Sequence, residues 1–203
     1  MTTIRQINGM MNDGQTRKLV QELTRYRADV PAAVAGDLEG SPVAAAALAA
    51  IRLLEIDQTH MPVFTQLLGR LLKTQTADGS WDDGDPFVTA LAARALLGWP
   101  ETRPAALRAI AFLTGLQRDD GSFPRTGPRR LPGDALATAF VLVQLAEFAD
   151  FAESIRLGAA LFWLGQNRHS LSPDCRSLAR NAVSRSMHHI GGQARQLVEL
   201  IAA

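Results

Sequence analysis

The chain has 203 residues, enough for one sizeable domain without requiring a second. Apolar residues make up 47% and charged residues 20%, as in ordinary soluble proteins, and the net charge of +1 gives no bias toward nucleic acid or an anionic membrane. The single cysteine, Cys175, excludes an intramolecular disulfide and points to a reducing, cytoplasmic setting; the N-terminus lacks a signal-peptide apolar run, and Arg, Gly or Pro breaks each apolar stretch before the ~18 residues of a membrane span.

The hydrophobic spacing is helical almost throughout. QTRKLVQELTRYRADV, with Asn12 and Asp13 as cap candidates, places Leu19, Leu23 and Tyr26 on one face of an N-terminal helix over 13–28. SPVAAAALAAIRLLEI opens with Ser41 as N-cap and Pro42 at the first helical position, and its alanines call for close packing on several sides. MPVFTQLLGRLLKTQ follows, then DPFVTALAARALLGW with the same device in Asp85 and Pro86. RPAALRAIAFLTGLQ, DALATAFVLVQLAEF (capped by Asp134), FAESIRLGAALFWLGQ, DCRSLARNAVSRSMHH and GGQARQLVELIAA complete nine predicted helices. No alternating strand pattern competes, so the fold class is all-α.

The helices come in pairs, and the pairs repeat. Gln75, Gln117 and Gln166 each end the second helix of a pair, 42 and 49 residues apart. Aligning Asp85 with Asp134 superposes Thr89-Ala90 on Thr138-Ala139 and Leu96 on Leu145. The chain thus reads as one repeat domain over 1–203, with units at about 41–82, 83–123 and 132–171 and capping helices over 174–203. One hairpin cannot bury its own apolar face, so neighbours must stack. The alanine-rich helices (Ala44 to Ala47; Ala90, Ala92, Ala93; Ala137, Ala139) belong inside, and those carrying Arg70, Lys73, Arg108 and Arg156 belong outside.

Two stretches carry a family resemblance: LLKTQTADGSWDDGDPFVTALAARALL, and FLTGLQRDDGSFPRTGPRRLPGDALATAFVLVQL. They resemble the repeats of the terpenoid cyclase and protein prenyltransferase superfamily, whose squalene-hopene cyclases carry the QW motif. The matching residues are Gln75, Gly79 and Trp81, then Gln117, Gly121 and Phe123; the third unit keeps only Gln166. The first stretch is especially similar to bacterial cyclase-like sequences. The resemblance covers roughly residues 41 to 175 and implies an α/α toroid, concentric helices around a central cavity. Physically, the motif suits a joint. The glutamine can donate to carbonyls at its helix end, Asp-Gly supplies a left-handed turn, and the aromatic can stack over the amide.

Several groups are candidates for chemistry. Class II cyclases protonate an alkene with an Asp-x-Asp-Asp motif; here Asp82, Asp83 and Asp85 stand in the order Asp-Asp-Gly-Asp, and Asp85 also reads as a helix cap. Prenyltransferases of the superfamily hold zinc with Asp-x-Cys and a distant His. Here Asp174 and Cys175 are adjacent, and Cys175 and His189 lie ~21 Å apart along one helix, so neither a metal nor another cofactor is expected. Arg125, Arg129 and Arg130 form a loop suited to phosphate, to an acidic partner, or simply to solvent. Phe87, Val88, Leu91, Leu136, Phe140 and Val141 line a cavity or fill a core.

A full toroid takes about six hairpins, more than this chain supplies, so the arc is expected to stay open. The Arg- and Ser-rich helix at 175–189 caps it, or else an exposed edge pairs with another chain as a homodimer or with a protein partner. The reading is a scaffold that binds an apolar, isoprenoid-type ligand or a protein partner. The alternatives are a cyclase or prenyltransferase-type enzyme with a rearranged acidic site, and a purely structural assembly subunit.

Overall fold

The computed structural model describes residues 13–126 and 131–190, so the arginines at 129 and 130 and the predicted helix over 191–203 lie outside the described residues. The fold is all-α. Ten α-helices are formed among the described residues: α1 (Asp13–Thr24), α2 (Ala32–Leu38), α3 (Pro42–Glu55), α4 (Pro62–Thr74), α5 (Pro86–Leu97), α6 (Arg103–Leu116), α7 (Ala135–Leu145), α8 (Ala149–Ser154), α9 (Leu157–Gln166) and α10 (Pro173–Ile190).

The starts follow the capping chemistry. Ser41 Oγ accepts from Ala44 N at 2.9 Å, Asp85 from Phe87 N and Val88 N at 2.7 and 3.1 Å, and Asp134 from Ala137 N at 2.7 Å. In α10 the cap is Ser172, which accepts from Cys175 N at 3.2 Å, while Asp174 sits in the first turn. Proline occupies the first turn of α3, α4, α5 and α6, where its missing N–H would have no partner anyway.

Packing sorts the helices into two layers. α3, α5, α7 and α10 form a row in which each packs on the next, and α1 packs on α3. Behind the row, α4 packs on α3, α6 on α5, and α9 on both α7 and α10. The inner helices are buried nearly all round. In α5, Pro86 to Ala93 and Ala95-Leu96 are all inaccessible, and in α7 Ala137 to Leu145 are. The outer helices bury one face only: α4 buries Val63, Phe64, Leu67, Leu68 and Leu71 and turns Gln66 and Lys73 to solvent. α10 belongs to the row yet buries a single stripe, Cys175, Leu178, Ala179, Ala182, Val183 and Ser186, leaving Arg176 and Arg180 exposed.

Three local features differ from the sequence expectation. The first helix stops at Thr24, and Tyr26, expected on its apolar face, is 86% exposed beneath the Arg25 guanidinium. The chain then turns and forms α2, a seven-residue helix after Pro31 that hydrophobic periodicity did not reveal because it is too short to show a period. The stretch 151–166 is two helices, separated by Ile155 in extended conformation.

Candidate functional site

The two glutamine motifs build the same joint. After Gln75 the backbone turns through Gly79 at φ +93°, and after Gln117 through Gly121 at φ +91°. The aspartate before each glycine closes the turn: Asp78 Oδ1 accepts from Ser80 N, and Asp120 Oδ1 from Ser122 N, both at 3.0 Å. The glutamine amides were expected to serve their own helix ends. Instead they reach forward to the next outer helix. Gln75 Nε2 donates to Gly79 O (3.0 Å) and to Ala105 O in the first turn of α6 (2.9 Å), while Arg108 donates to Gln75 Oε1. Gln117 Nε2 donates to Gly121 O (2.9 Å) and Arg156 O (3.5 Å), and its Oε1 accepts from Arg156 N at 2.9 Å. The break at Ile155 thus places the start of α9 against Gln117.

The aromatic of each motif is fully buried and does not simply cover the amide. Trp81 Nε1 donates to Leu71 O at 3.0 Å, satisfying a carbonyl near the end of α4. Trp81 N donates to Thr89 Oγ1 at 3.3 Å, and Phe123 N to Thr138 Oγ1 at 2.9 Å. The repeated threonine therefore ties each motif to the inner helix that follows. Gln166 has no such surroundings; it is exposed at the end of α9.

The acidic turn lies at the N-terminal end of α5. Asp82, Asp83 and Gly84 adopt successive positive φ values of 48°, 57° and 82°, and Asp85 then returns to extended backbone to cap the helix. Asp82 and Asp83 are solvent-exposed. Asp82 Oδ2 accepts from Ser41 Oγ, linking the caps of α3 and α5. Burial raises the Asp85 carboxyl above the usual carboxylate range, outweighing the two N–H bonds it accepts; Asp82 and Asp37 add to the rise. Asp85 Oδ1 is committed to the helix N-terminus.

Arg125 joins this rim. Its guanidinium pairs with Asp37 of α2 at 2.6 Å and lies 5.7 Å from the centroid of the Phe87 ring. Phe87, Leu91 and Phe140, the candidate cavity lining, are at most 2% exposed, as is Val141; the Phe87 and Phe140 rings are 5.3 Å apart. Leu136 is half-buried. The structure thus places these side chains in the core.

A second polar centre, near the C-terminal ends of α3, α5 and α7, has no counterpart in the sequence reading. Asp29, 8% exposed, accepts from Arg27 Nε and Nη2 at 3.0 and 2.9 Å and from Arg94 Nη1 of α5 at 2.7 Å. Arg185 Nη2 of α10 stands 3.8 Å away. Gln144 of α7, fully buried, donates to Asp29 O (2.9 Å) and accepts from Arg94 (2.7 Å), and Glu55 of α3 pairs with Arg27 at 3.0 Å. Burial alone would raise the Asp29 carboxyl. The hydrogen bonds and charges of Arg27 and Arg94 overcome it and hold the group at about 2. A cleft of about 420 Å³ opens beside this centre, lined by Glu22, Tyr26, Arg52, Glu55, Asn181 and Arg185. The signal that would have found it is a long polar side chain interrupting an apolar inner helix: Arg94 in LAARALL and Gln144 in VLVQL.

No group of three metal-ligating side chains comes together among the described residues. Cys175 is buried, and burial, with Asp134 and Asp174, pushes its thiol up to about 11; His188 and His189 are exposed at the far end of α10. No helix among the described residues is long and apolar enough to cross a membrane.

The arrangement is an all-α fold in which two successive outer helices are fastened to the next by side-chain amides. Comparison with curated proteins finds drimenyl diphosphate synthase from Streptomyces showdoensis, 40% identical over 92 residues. The match takes in 39% of this chain and 17% of that protein, so the chain spans well under two thirds of that relative's length. No protein-family model matches the chain, and no solved structure matches it significantly.

Proposed function

We propose that the chain is a terpenoid-cyclase-like α/α repeat scaffold, a single open arc working in the cytoplasm, that binds an apolar, isoprenoid-type ligand without cyclising it. One observation carries the ligand class: the 40% identity to drimenyl diphosphate synthase. The geometry supports binding over turnover. A proton-donating acid must be aimed at substrate, whereas Asp85 holds Oδ1 on two backbone N–H groups of its own helix and Asp82 and Asp83 are exposed. Phe87, Leu91 and Phe140, buried in the closed structure, supply the apolar surface once uncovered, and Arg125, with the arginines at 129 and 130, supplies positive charge for a diphosphate. Gln75, Gly79, Trp81, Gln117, Gly121 and Phe123 serve as joints.

Titration calorimetry with geranylgeranyl diphosphate, with product analysis by mass spectrometry, tests both halves. The expected result is saturable binding with recovery of unchanged ligand. Absence of binding across prenyl diphosphates would sink the ligand half. Turnover abolished by Asp83→Asn would make the chain an enzyme with a rearranged acidic site.

A further inference from the structure

The segment 25–38 lies across the inner row and is pinned at both ends. At one end, Asp29 receives Arg94 of α5 and Arg185 of α10, its backbone carbonyl receives Gln144 of α7, and its neighbour Arg27 reaches Glu55 of α3. Three inner helices meet at Asp29 and a fourth, α3, meets its neighbour Arg27, which requires the row to curve around this segment. Asp29 therefore marks the concave side. At the other end, Asp37 pairs with Arg125, which rests on Phe87 near the start of α5. Between the pins, α2 packs on α5, burying Val34 and Leu38 completely. Phe87, Leu91 and Arg94 are spaced i, i+4, i+7 and so form one stripe of α5, whose two ends carry the two pins. Phe140 and Gln144 repeat the spacing on α7. The apolar residues that sequence alone assigns to a cavity or a core lie on the stripes that bear the pins.

We infer that residues 25–38 are a strap covering the concave face of the inner row, and that ligand gains the Phe87–Leu91–Phe140 surface only when the strap lifts. The identity of the ligand rests on the reading above; the strap does not. The pins are of a kind that can release as a unit. Apart from Val30, Val34, Ala35 and Leu38, the strap's hold on the row is polar and concentrated at two points, whereas α5 and α7 are locked by apolar contacts on all sides. A ligand that needs the open form has its affinity reduced by the open fraction, so loosening the pins tightens binding in proportion.

Hydrogen exchange by mass spectrometry on the full chain tests this, with the apolar dye ANS and geranylgeranyl diphosphate as probes. In the wild type, amides of α2 should exchange faster than those of α5 and α7, by an opening that leaves both helices protected. Asp29→Asn removes a charge-assisted anchor and should speed α2 exchange about 10- to 100-fold, with a matching rise in ANS affinity. If that variant does not fold, Arg125→Gln at the exposed rim pair should give a change of a few-fold in the same two readouts. Saturating ligand should further deprotect α2. The strap is overturned if α2 exchanges only together with α5 and α7. It is equally overturned if faster α2 exchange brings no gain in ANS binding, or if the diphosphate binds with α2 protection unchanged; in that last case the ligand reading survives. If ANS follows the strap but no prenyl diphosphate binds to any variant, the strap stands and the ligand reading falls.

Discussion

Replacing Gly121 by alanine tests whether the glutamine joints hold the hairpins together. At φ +91° an L-residue is strained by about 1–2 kcal/mol. The added Cβ would also lie 2.5 Å from Ala159 C and Ala160 N and 2.8 Å from Ala159 Cβ. Two are helix backbone atoms and the third an alanine Cβ, none of which a rotamer change can clear, so α9 must move away, at a further cost of about 1–3 kcal/mol. Together these give a loss of about 2–5 kcal/mol, a fall in Tm of roughly 5–15 °C for a chain of this size. Urea titration followed by circular dichroism measures it. Gly69→Ala is the control: a glycine inside α4 with nothing within 4 Å of an added Cβ, it should gain about 0.5–1 kcal/mol. If Gly121→Ala falls within about 0.5 kcal/mol of the control, the close approach of turn to outer helix is not what fixes the stack.

Gln117→Ala removes a buried amide with partners on two segments and should cost about 2–3 kcal/mol in the same titration, more than Gln75→Ala, whose amide is half-buried. Asp29 should make the fold acid-sensitive. Its folded value of about 2 lies below the ordinary 3.8, so it contributes about 2 kcal/mol above pH ~4, lost as pH falls toward 2. Arg27, Arg94, Arg185, Glu55 and Glu147 face it or its partners, and Asp85, raised, acts in the opposite sense; comparison with Asp29→Asn isolates the Asp29 share. Cys175, buried with its thiol pushed up to about 11, should resist a thiol reagent at pH 8 until denaturant is added, and rapid labelling of native protein would contradict its burial.

The helical layers were legible because they rest on local rules. Ser41, Asp85 and Asp134 announce starts, first-turn prolines fix entries, and an apolar surface nearly all round the alanine-rich segments marks the inner row. The repeated Gln and Gly positions were visible too, but the target of the amide was not. A donor's choice between its own helix and the next depends on where the next hairpin lands. Asp29 was invisible for the same reason: in the sequence it is one aspartate in a short polar stretch, and its distant partners lie in α5, α7 and α10. α2 escaped because seven residues, AAVAGDL, are too few to declare a face. Of the acidic turn, the cap at Asp85 was readable; the left-handed run through Asp82 and Asp83 was not, since aspartate tolerates positive φ better than most residues without requiring it.

The spacing of Asp29 from its partners bears on the order of assembly. Arg94 lies 65 residues downstream and Gln144 lies 115 downstream. Synthesis runs from the N-terminal side, so the chain makes this carboxylate well before the residues that satisfy it. The joints at Gln75 and Gln117 span only 30 and 39 residues, so hairpins can fasten in sequence as they emerge. A product truncated before α7 would have its first joint made and Asp29 still lacking Gln144 and Arg185. The segment around Asp29 is thus made before the helices that hold it, and its docking reports that the row through α10 has been completed.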